Sequence, residues 1–135
     1  MHSVMSDIIV ISGLAIKVQT FYKKDYRHIF EEVEVLRALI DRVAQHFRST
    51  TMSSNDRQYG EKILRGCQSV LEDLNSLMEK YRRRVSTNHR LAFMRVRLGN
   101  DVTALQVRLI SNTVSLNGFV RRYAQCCPLH SFYRY

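Results

Sequence analysis

The sequence has few of the residues that interrupt regular secondary structure, with one proline and five glycines among 135 residues. So few chain breakers leave little room for the turns of a β-sheet or for a Pro/Gly-rich linker. The three cysteines form no regular framework, which excludes a disulfide scaffold and favours a reducing compartment. No run reaches the ~20 apolar residues that a membrane-spanning helix requires. These absences favour one helical domain in the cytoplasm.

The N-terminal apolar segment, residues 8–16, has the length of a signal-peptide core. However, residues 1–7 contain no Lys or Arg, whereas a secretory signal usually begins with basic residues. This supports the prediction of a cytoplasmic protein, with recruitment to a membrane left open.

Charge is distributed unevenly along the chain. Residues 1–80 carry 11 Lys and Arg against 11 Asp and Glu, whereas residues 81–135 carry ten Arg against one Asp. The whole net charge of +9 therefore belongs to the last 55 residues. Such asymmetry suggests an anionic partner, either membrane headgroups, nucleic acid or an acidic protein surface. A solvated basic face that aids solubility is the alternative.

Two segments repeat apolar residues at alternating steps of four and three, which is typical of amphipathic helices. One covers about residues 25–47; the other follows a capping residue among 53–55 and ends near Arg84. Their stripes are Ile29, Val33, Leu36, Ile40, Val43 and Phe47, and Ile63, Cys67, Val70, Leu74, Leu77 and Tyr81. Because a long helix cannot bury such a stripe alone, the pattern predicts a helical bundle. Gly60 and Gly66 would bend the second of these helices or let another helix approach closely.

A further helix is predicted from Ser6 or Asp7 to about Tyr22. Its apolar residues include Ile8, Ile9, Ile11, Leu14, Ile16 and Val18. They spread around more of the helix than a single stripe would. A core helix of the bundle is the favoured interpretation. The alternative is a detachable amphipathic helix that enters a membrane interface or another protomer.

The C-terminal part predicts a loop at 85–88, a short helix at 89–98 stopped by Gly99, and a last helix at 101–123. Asn112 occupies a core-facing step of that helix, where a buried amide would need a hydrogen-bond partner. The fold prediction is therefore all-α, a bundle of four long helices and one short helix. The bundle domain would span residues 1–123, and residues 124–135 would form an irregular tail.

Four phrases of the sequence carry a family resemblance. They are YRHIFEEV at 26–33, LIDRVAQHF at 39–47, GCQSVLEDLNSL at 66–77 and LISNTVSLNGFV at 109–120. Together they resemble the fungal HeLo-like N-terminal domain, which heads fungal signal-transducing NTPases and some ankyrin-repeat proteins. The resemblance extends over about residues 8–123. It leaves open whether the chain is a whole protein, an excised domain or a truncated paralogue.

The resemblance implies a non-catalytic effector or adaptor of fungal immunity-like signalling and programmed cell death. It also implies self-association, contact with other signalling proteins, and a membrane-active first helix. Three features depart from the family pattern. The turn at 23–25 is short, and the first helix contains only Gly13 instead of a glycine-rich zipper. The tail at 124–135 is also unlike the family.

Arginines cluster around the end of the third predicted helix, and they form the predicted patch for an anionic partner. The patch consists of Arg82, Arg83, Arg84, Arg90, Arg95 and Arg97. The helix macrodipole favours basic residues in the last turn of a helix, but three consecutive arginines are more than this effect alone explains. Near an anionic bilayer, each such charge contributes about 1 kcal/mol. We favour a membrane or an acidic protein over nucleic acid, because no groove-fitting motif accompanies the patch and the nearby aromatic residues, Tyr81 and Phe93, lie at core-like steps.

No catalytic residue, cofactor site or metal site is predicted. Cys126, Cys127 and His130 make a poor zinc site, because adjacent cysteines chelate badly and no second ligand pair is visible. Cys67 lies on a core stripe, where a buried thiol behaves as a small apolar residue. Phosphate-binding glycine motifs are absent. The alternatives to a signalling domain are a protein-only oligomerisation scaffold and a nonspecific nucleic-acid-binding module.

Overall fold

The computed structural model describes residues 4–23, 26–49, 52–87 and 91–126, with side chains at 6–23, 26–48, 52–83 and 99–122. These residues form four α-helices and no strand. The helices are α1 (Val4–Tyr22), α2 (Arg27–Ser49), α3 (Ser54–Thr87) and α4 (Leu91–Cys126). The all-α prediction is confirmed for these residues.

The predicted fifth, short helix is not separate, because α4 runs without a break through Gly99. A glycine stops a helix by adopting a positive φ, and no described residue has one. The Gly99 carbonyl instead accepts a hydrogen bond from the Thr103 hydroxyl at 2.8 Å, one helical turn later. The helix ends also differ from prediction. α1 begins at Val4, ahead of the predicted start at Ser6 or Asp7, α3 continues to Thr87, and α4 continues to Cys126. Residues 88 and 127–135 lie outside the described ranges, so the predicted tail remains a prediction there.

The four helices form a square bundle in which α1 and α4 each pack against both α2 and α3. Helices α1 and α4 occupy opposite corners and do not contact each other in the described part of the chain. Tyr26 lies beside Gly99 at one end of α2 and α4, and Phe47 lies beside Phe119 at the other, so these two helices are parallel. Because α1 and α2 form an antiparallel hairpin, α1 runs opposite to α4.

The core is made by the stripes that the sequence predicts. All six stripe residues of α2 are buried. On α3 the buried face is rotated slightly, so that Leu64, Leu71 and Met78 are buried while Leu77 and Tyr81 are half-buried. This rotation follows from the square arrangement, since α3 must face α1 on one side and α4 on the other.

Two glycines of α3 mark close contact with neighbouring helices, as predicted. A Cβ atom at position 60 would lie 2.7 Å from Cζ of Phe119, and one at position 66 would lie 2.6 Å from Oδ1 of Asn112. Asn112 is half-buried, and its Nδ2 donates to the Arg108 carbonyl at 2.9 Å. At the start of α3, the Ser53 hydroxyl accepts a hydrogen bond from the Asp56 amide at 3.2 Å, which confirms the predicted cap.

Candidate functional site: two outward apolar faces and a basic helix end

Helix α1 has an inner and an outer apolar face. Of its six predicted site residues, Ile8, Ile11 and Val18 are buried against α2 and α3, and Leu14 is half-buried. The remaining two point outward, with Ile9 69% and Ile16 48% exposed. The structure therefore packs α1 into the bundle, which agrees with the favoured interpretation from the sequence. Only the outer face is available to a partner while the bundle stays intact.

The outer face of α1 consists of Ile9, Val10, Gly13 and Ile16. Val10 is 55% exposed, and no atom lies within 4 Å of the position that a Cβ on Gly13 would occupy. Adjacent exposed β-branched residues on one helix face are uncommon on a small domain, so this face is a candidate interaction surface.

A hydrogen bond and an ion pair connect the C-terminal half of α1 to α3. The Tyr22 hydroxyl is buried and donates to the Leu74 carbonyl at 3.0 Å. Burial, with a smaller contribution from Tyr26, raises the pKa of Tyr22 above its ordinary range. Lys17 also forms an exposed ion pair with Glu79 at 3.4 Å. Because an exposed pair adds little, Tyr22 is the stronger of these anchors.

A buried polar contact joins α1 to α2, and the sequence pattern does not reveal it. Gln19 is 5% exposed, and its Nε2 donates to the Phe30 carbonyl at 3.3 Å. Its Oε1 accepts a hydrogen bond from Arg37 at 2.7 Å. These bonds satisfy both ends of the amide, which is what allows a glutamine to be buried there.

The basic patch is described only in part. Arg82 and Arg83 are exposed near the end of α3, and the Arg82 guanidinium lies 5.1 Å from the centre of the Phe21 ring. This cation–π contact places the start of the patch beside the C-terminal end of α1. The side chains of Arg84, Arg95 and Arg97, and all of Arg90, lie outside the described residues. That the six arginines form one surface remains a prediction.

Helix α4 has an outward apolar face of its own, formed by Val107, Ile110 and Val114. These residues are 67%, 41% and 65% exposed and recur at steps of three and four. They lie opposite the buried face of α4, which contains Leu109 and Leu116. The spacing of apolar residues predicts a second apolar face on this helix, made of Val107, Ile110, Val114 and Val120. Val120 is buried, and periodicity alone cannot show that the other three are left exposed by the bundle.

An open groove of about 370 Å³ lies between α3 and α4. Leu77 and Leu105 are among its lining residues, together with charged residues of both signs, Asp73, Lys80 and Asp101. Asp73 is already paired with Arg108 at 2.5 Å. With mixed charges in its lining, the groove does not favour an anionic ligand.

Cys67 is fully buried, as its position on the core stripe predicts. Burial raises the pKa of its thiol to about 12, so the thiol is protonated at neutral pH. Within the described residues no three His, Cys, Asp or Glu side chains are grouped so that they could hold a metal ion. The side chains of Cys126, Cys127 and His130 lie outside that set. None of the described helices combines the length and apolarity needed to cross a membrane.

Comparison of the chain with protein-family models, curated proteins and solved structures found no match. The HeLo-like resemblance therefore remains a prediction from the sequence. Any function must be argued from the surfaces of the bundle.

Proposed function

We propose that the chain is a non-catalytic signalling or effector domain of the HeLo-like kind, which acts by self-association and by engaging an anionic membrane surface. The observation that carries the proposal is the outer face of α1, where Ile9, Val10 and Ile16 are exposed while the inner face is buried. The arginines that begin at Arg82 lie beside the C-terminal end of α1, where they would supply electrostatic attraction to an anionic surface.

Approximate interaction energies indicate that membrane binding would need both the apolar face of α1 and the basic patch. Burying an exposed Ile or Val side chain completely is worth about 1.5–3 kcal/mol, and these side chains are only about half to two-thirds exposed. A few partly exposed side chains therefore give marginal membrane affinity. Each arginine near an anionic bilayer adds about 1 kcal/mol, so the apolar face and the basic patch together reach useful affinity.

A protein-only oligomerisation scaffold is the second candidate, and the outward face of α4 favours it. Val107, Ile110 and Val114 are exposed on the corner opposite α1. A single bundle presents only one of these two corners to a flat membrane. The α4 face is therefore better suited to a protein partner than to the same bilayer.

Vesicle flotation separates these candidates. The purified protein is floated with neutral and with anionic vesicles at low and high salt. Two variants report on the proposed surface, Ile9→Ser/Ile16→Ser and Arg82→Ala/Arg83→Ala. The matched control is Val107→Ser/Val114→Ser, which removes similar exposed apolar groups from the opposite corner. Point substitutions on the outer face are preferable to deleting α1, because a deletion would also remove core residues such as Ile11.

Binding to anionic vesicles only, weakened by salt and by both α1-side variants but not by the control, is the expected result. Absence of flotation under every condition would overturn the membrane part of the proposal and leave the scaffold. Salt-sensitive binding to RNA in place of vesicles would instead favour the nucleic-acid alternative.

A further inference from the structure

The two outward apolar faces have matching spacing. On α1, Ile9, Gly13 and Ile16 recur at steps of four and three. On α4, Val107, Ile110 and Val114 recur at steps of three and four. The second pattern is the first in reverse order. In an antiparallel pair, residue numbers rise along one helix as they fall along the other, so the numbers of facing residues add up to a constant. An antiparallel pair therefore aligns all three positions of the two faces at once.

In that register Ile9 faces Val114, Ile16 faces Val107, and Ile110 faces Gly13. Gly13 has no side chain, and no atom lies within 4 Å of its missing Cβ. The least exposed of the three α4 residues, Ile110, thus meets the one position of α1 that has room for a side chain. This is the knob-into-hole relation that lets two helices approach closely.

Two exposed cations favour the same orientation. Lys23 follows the end of α1 and Arg121 lies on α4, each on the side of its helix that carries the outward face. Parallel pairing would bring Lys23 level with Arg121 and place like charges together, whereas antiparallel pairing separates them. Because both side chains are exposed, this repulsion selects orientation more than it changes affinity.

The topology of the bundle makes this contact repeatable. Helices α1 and α4 occupy opposite corners and run in opposite directions. A second copy in the same orientation therefore presents its α1 antiparallel to the α4 of the first copy. Because the two faces are different surfaces on opposite sides, the contact is heterologous and does not close after two copies.

We propose that the chain assembles head to tail, with the α1 face of one copy (Ile9, Gly13, Ile16) packed antiparallel on the α4 face of the next (Val107, Ile110, Val114). This inference rests on the self-association in the proposed function and specifies its contact. An α1 face covered by another copy is not available to a membrane, so in an assembly only the end copy with a free α1 face can place that face on a bilayer. Two three-residue faces bury less than the roughly 1,600 Å² of a standard interface, so each contact is weak and assembly requires high protein concentration.

The test uses two variants that each remove one face. Ile9→Glu/Ile16→Glu disables the α1 face and leaves the α4 face intact, and Val107→Glu/Val114→Glu does the reverse. Sedimentation velocity and light scattering measure the mass of each protein, and of their mixture, up to about 1 mM, where a Kd corresponding to about 4 kcal/mol is detectable. Val35→Glu is the control, because Val35 is 51% exposed on α2, outside both faces. Thermal unfolding confirms that each variant is folded.

We expect the wild type and the Val35 control to form a ladder of species that grows with concentration. Each double variant alone should stay monomeric. Their equimolar mixture should form dimers and nothing larger, because only one compatible pair of faces remains. Two results would overturn the inference, namely a wild type that is monomeric throughout and a double variant that still self-associates.

Flotation of the same samples separates this inference from the membrane proposal. Assembly without vesicle binding would leave the head-to-tail contact standing and remove the membrane role. Vesicle binding by a protein that is monomeric at every concentration would do the opposite.

Discussion

At the scale of single residues, one of the tightest points of the bundle is the contact of Gly60 with two aromatic rings. A Cβ at this position would lie 2.7 Å from Cζ of Phe119 and 3.1 Å from Cζ of Phe47. The Phe119 ring also contacts Phe47 and Tyr59, with ring centres 6.4 and 6.0 Å away. Because Phe119 is buried and packed against both rings, it has little space to move aside. Backbone conformation does not require a glycine at this position, since its φ is not positive. The close approach of the two rings is therefore what favours a residue without a side chain.

Replacing Gly60 with alanine should destabilise the protein although alanine is the better helix former. Overpacking costs about 1–3 kcal/mol and the propensity gain returns about 1 kcal/mol, so we expect a net loss of about 1 kcal/mol. Chemical denaturation measures the difference. Gly118→Ala is the control, because no atom lies within 4 Å of that position and the propensity gain should stabilise α4. Equal stabilisation of both variants would contradict the close contact.

At the scale of elements, the continuity of α4 is the main departure from the sequence prediction. Gly99 followed by Asn100 and Asp101 has the composition of a helix stop and a new cap. The structure instead keeps Gly99 inside a 36-residue helix. A mid-helix glycine costs about 1 kcal/mol, and packing of α4 along α2 and α3 is the interaction that offsets this cost.

The substitution Gly99→Ala tests whether α4 is continuous. Its effect on stability should be positive in a continuous helix and negative if one helix ends at Gly99 and another begins after it. A Cβ at position 99 would lie 3.6 Å from the Tyr26 hydroxyl, an ordinary contact. Within a continuous helix, alanine should therefore raise the unfolding free energy by about 1 kcal/mol. If the glycine instead capped a helix in the left-handed conformation, alanine would lower stability by about 1–2 kcal/mol. Denaturant titration of the variant distinguishes the two outcomes.

At the scale of the whole molecule, α1 is a structural helix and a candidate interaction surface at once. Its inner face contributes Ile11, Ala15 and Val18 to the shared core, while Ile9 and Ile16 are exposed on the other side. Release of α1 would expose core surface on α2 and α3 and would break the buried Tyr22 contact. We therefore expect the outer face to act without unfolding the bundle.

Two neighbouring isoleucines test whether α1 unfolds together with the rest of the bundle. Ile11→Ala removes a fully buried side chain and should destabilise the protein by about 2–5 kcal/mol. Ile9→Ala, on the same helix but 69% exposed, should change stability by no more than about 0.5 kcal/mol. Thermal and chemical unfolding give both values. A neutral effect at both positions would mean that α1 is not part of the cooperative core.

Much of this architecture was predictable because helical periodicity is a local property of the chain. The stripes on α2 and α3, the Ser53 cap and the close approach at Gly60 and Gly66 all follow from residue spacing or small local groups. The candidate site was harder to predict from the sequence. The sequence shows which residues of α1 are apolar, but their division into inner and outer faces depends on where α2 and α3 lie.

The sequence alone was sufficient for the helical class, for most of the core and for the concentration of arginine after residue 80, since these depend on composition and short-range spacing. Three further properties required the assembled bundle. They are the continuity of α4 through Gly99, the burial of Gln19 between α1 and α2, and the exposure of Val107, Ile110 and Val114. Each depends on contacts between residues far apart in the chain, and local propensity carries no information about which helices become neighbours.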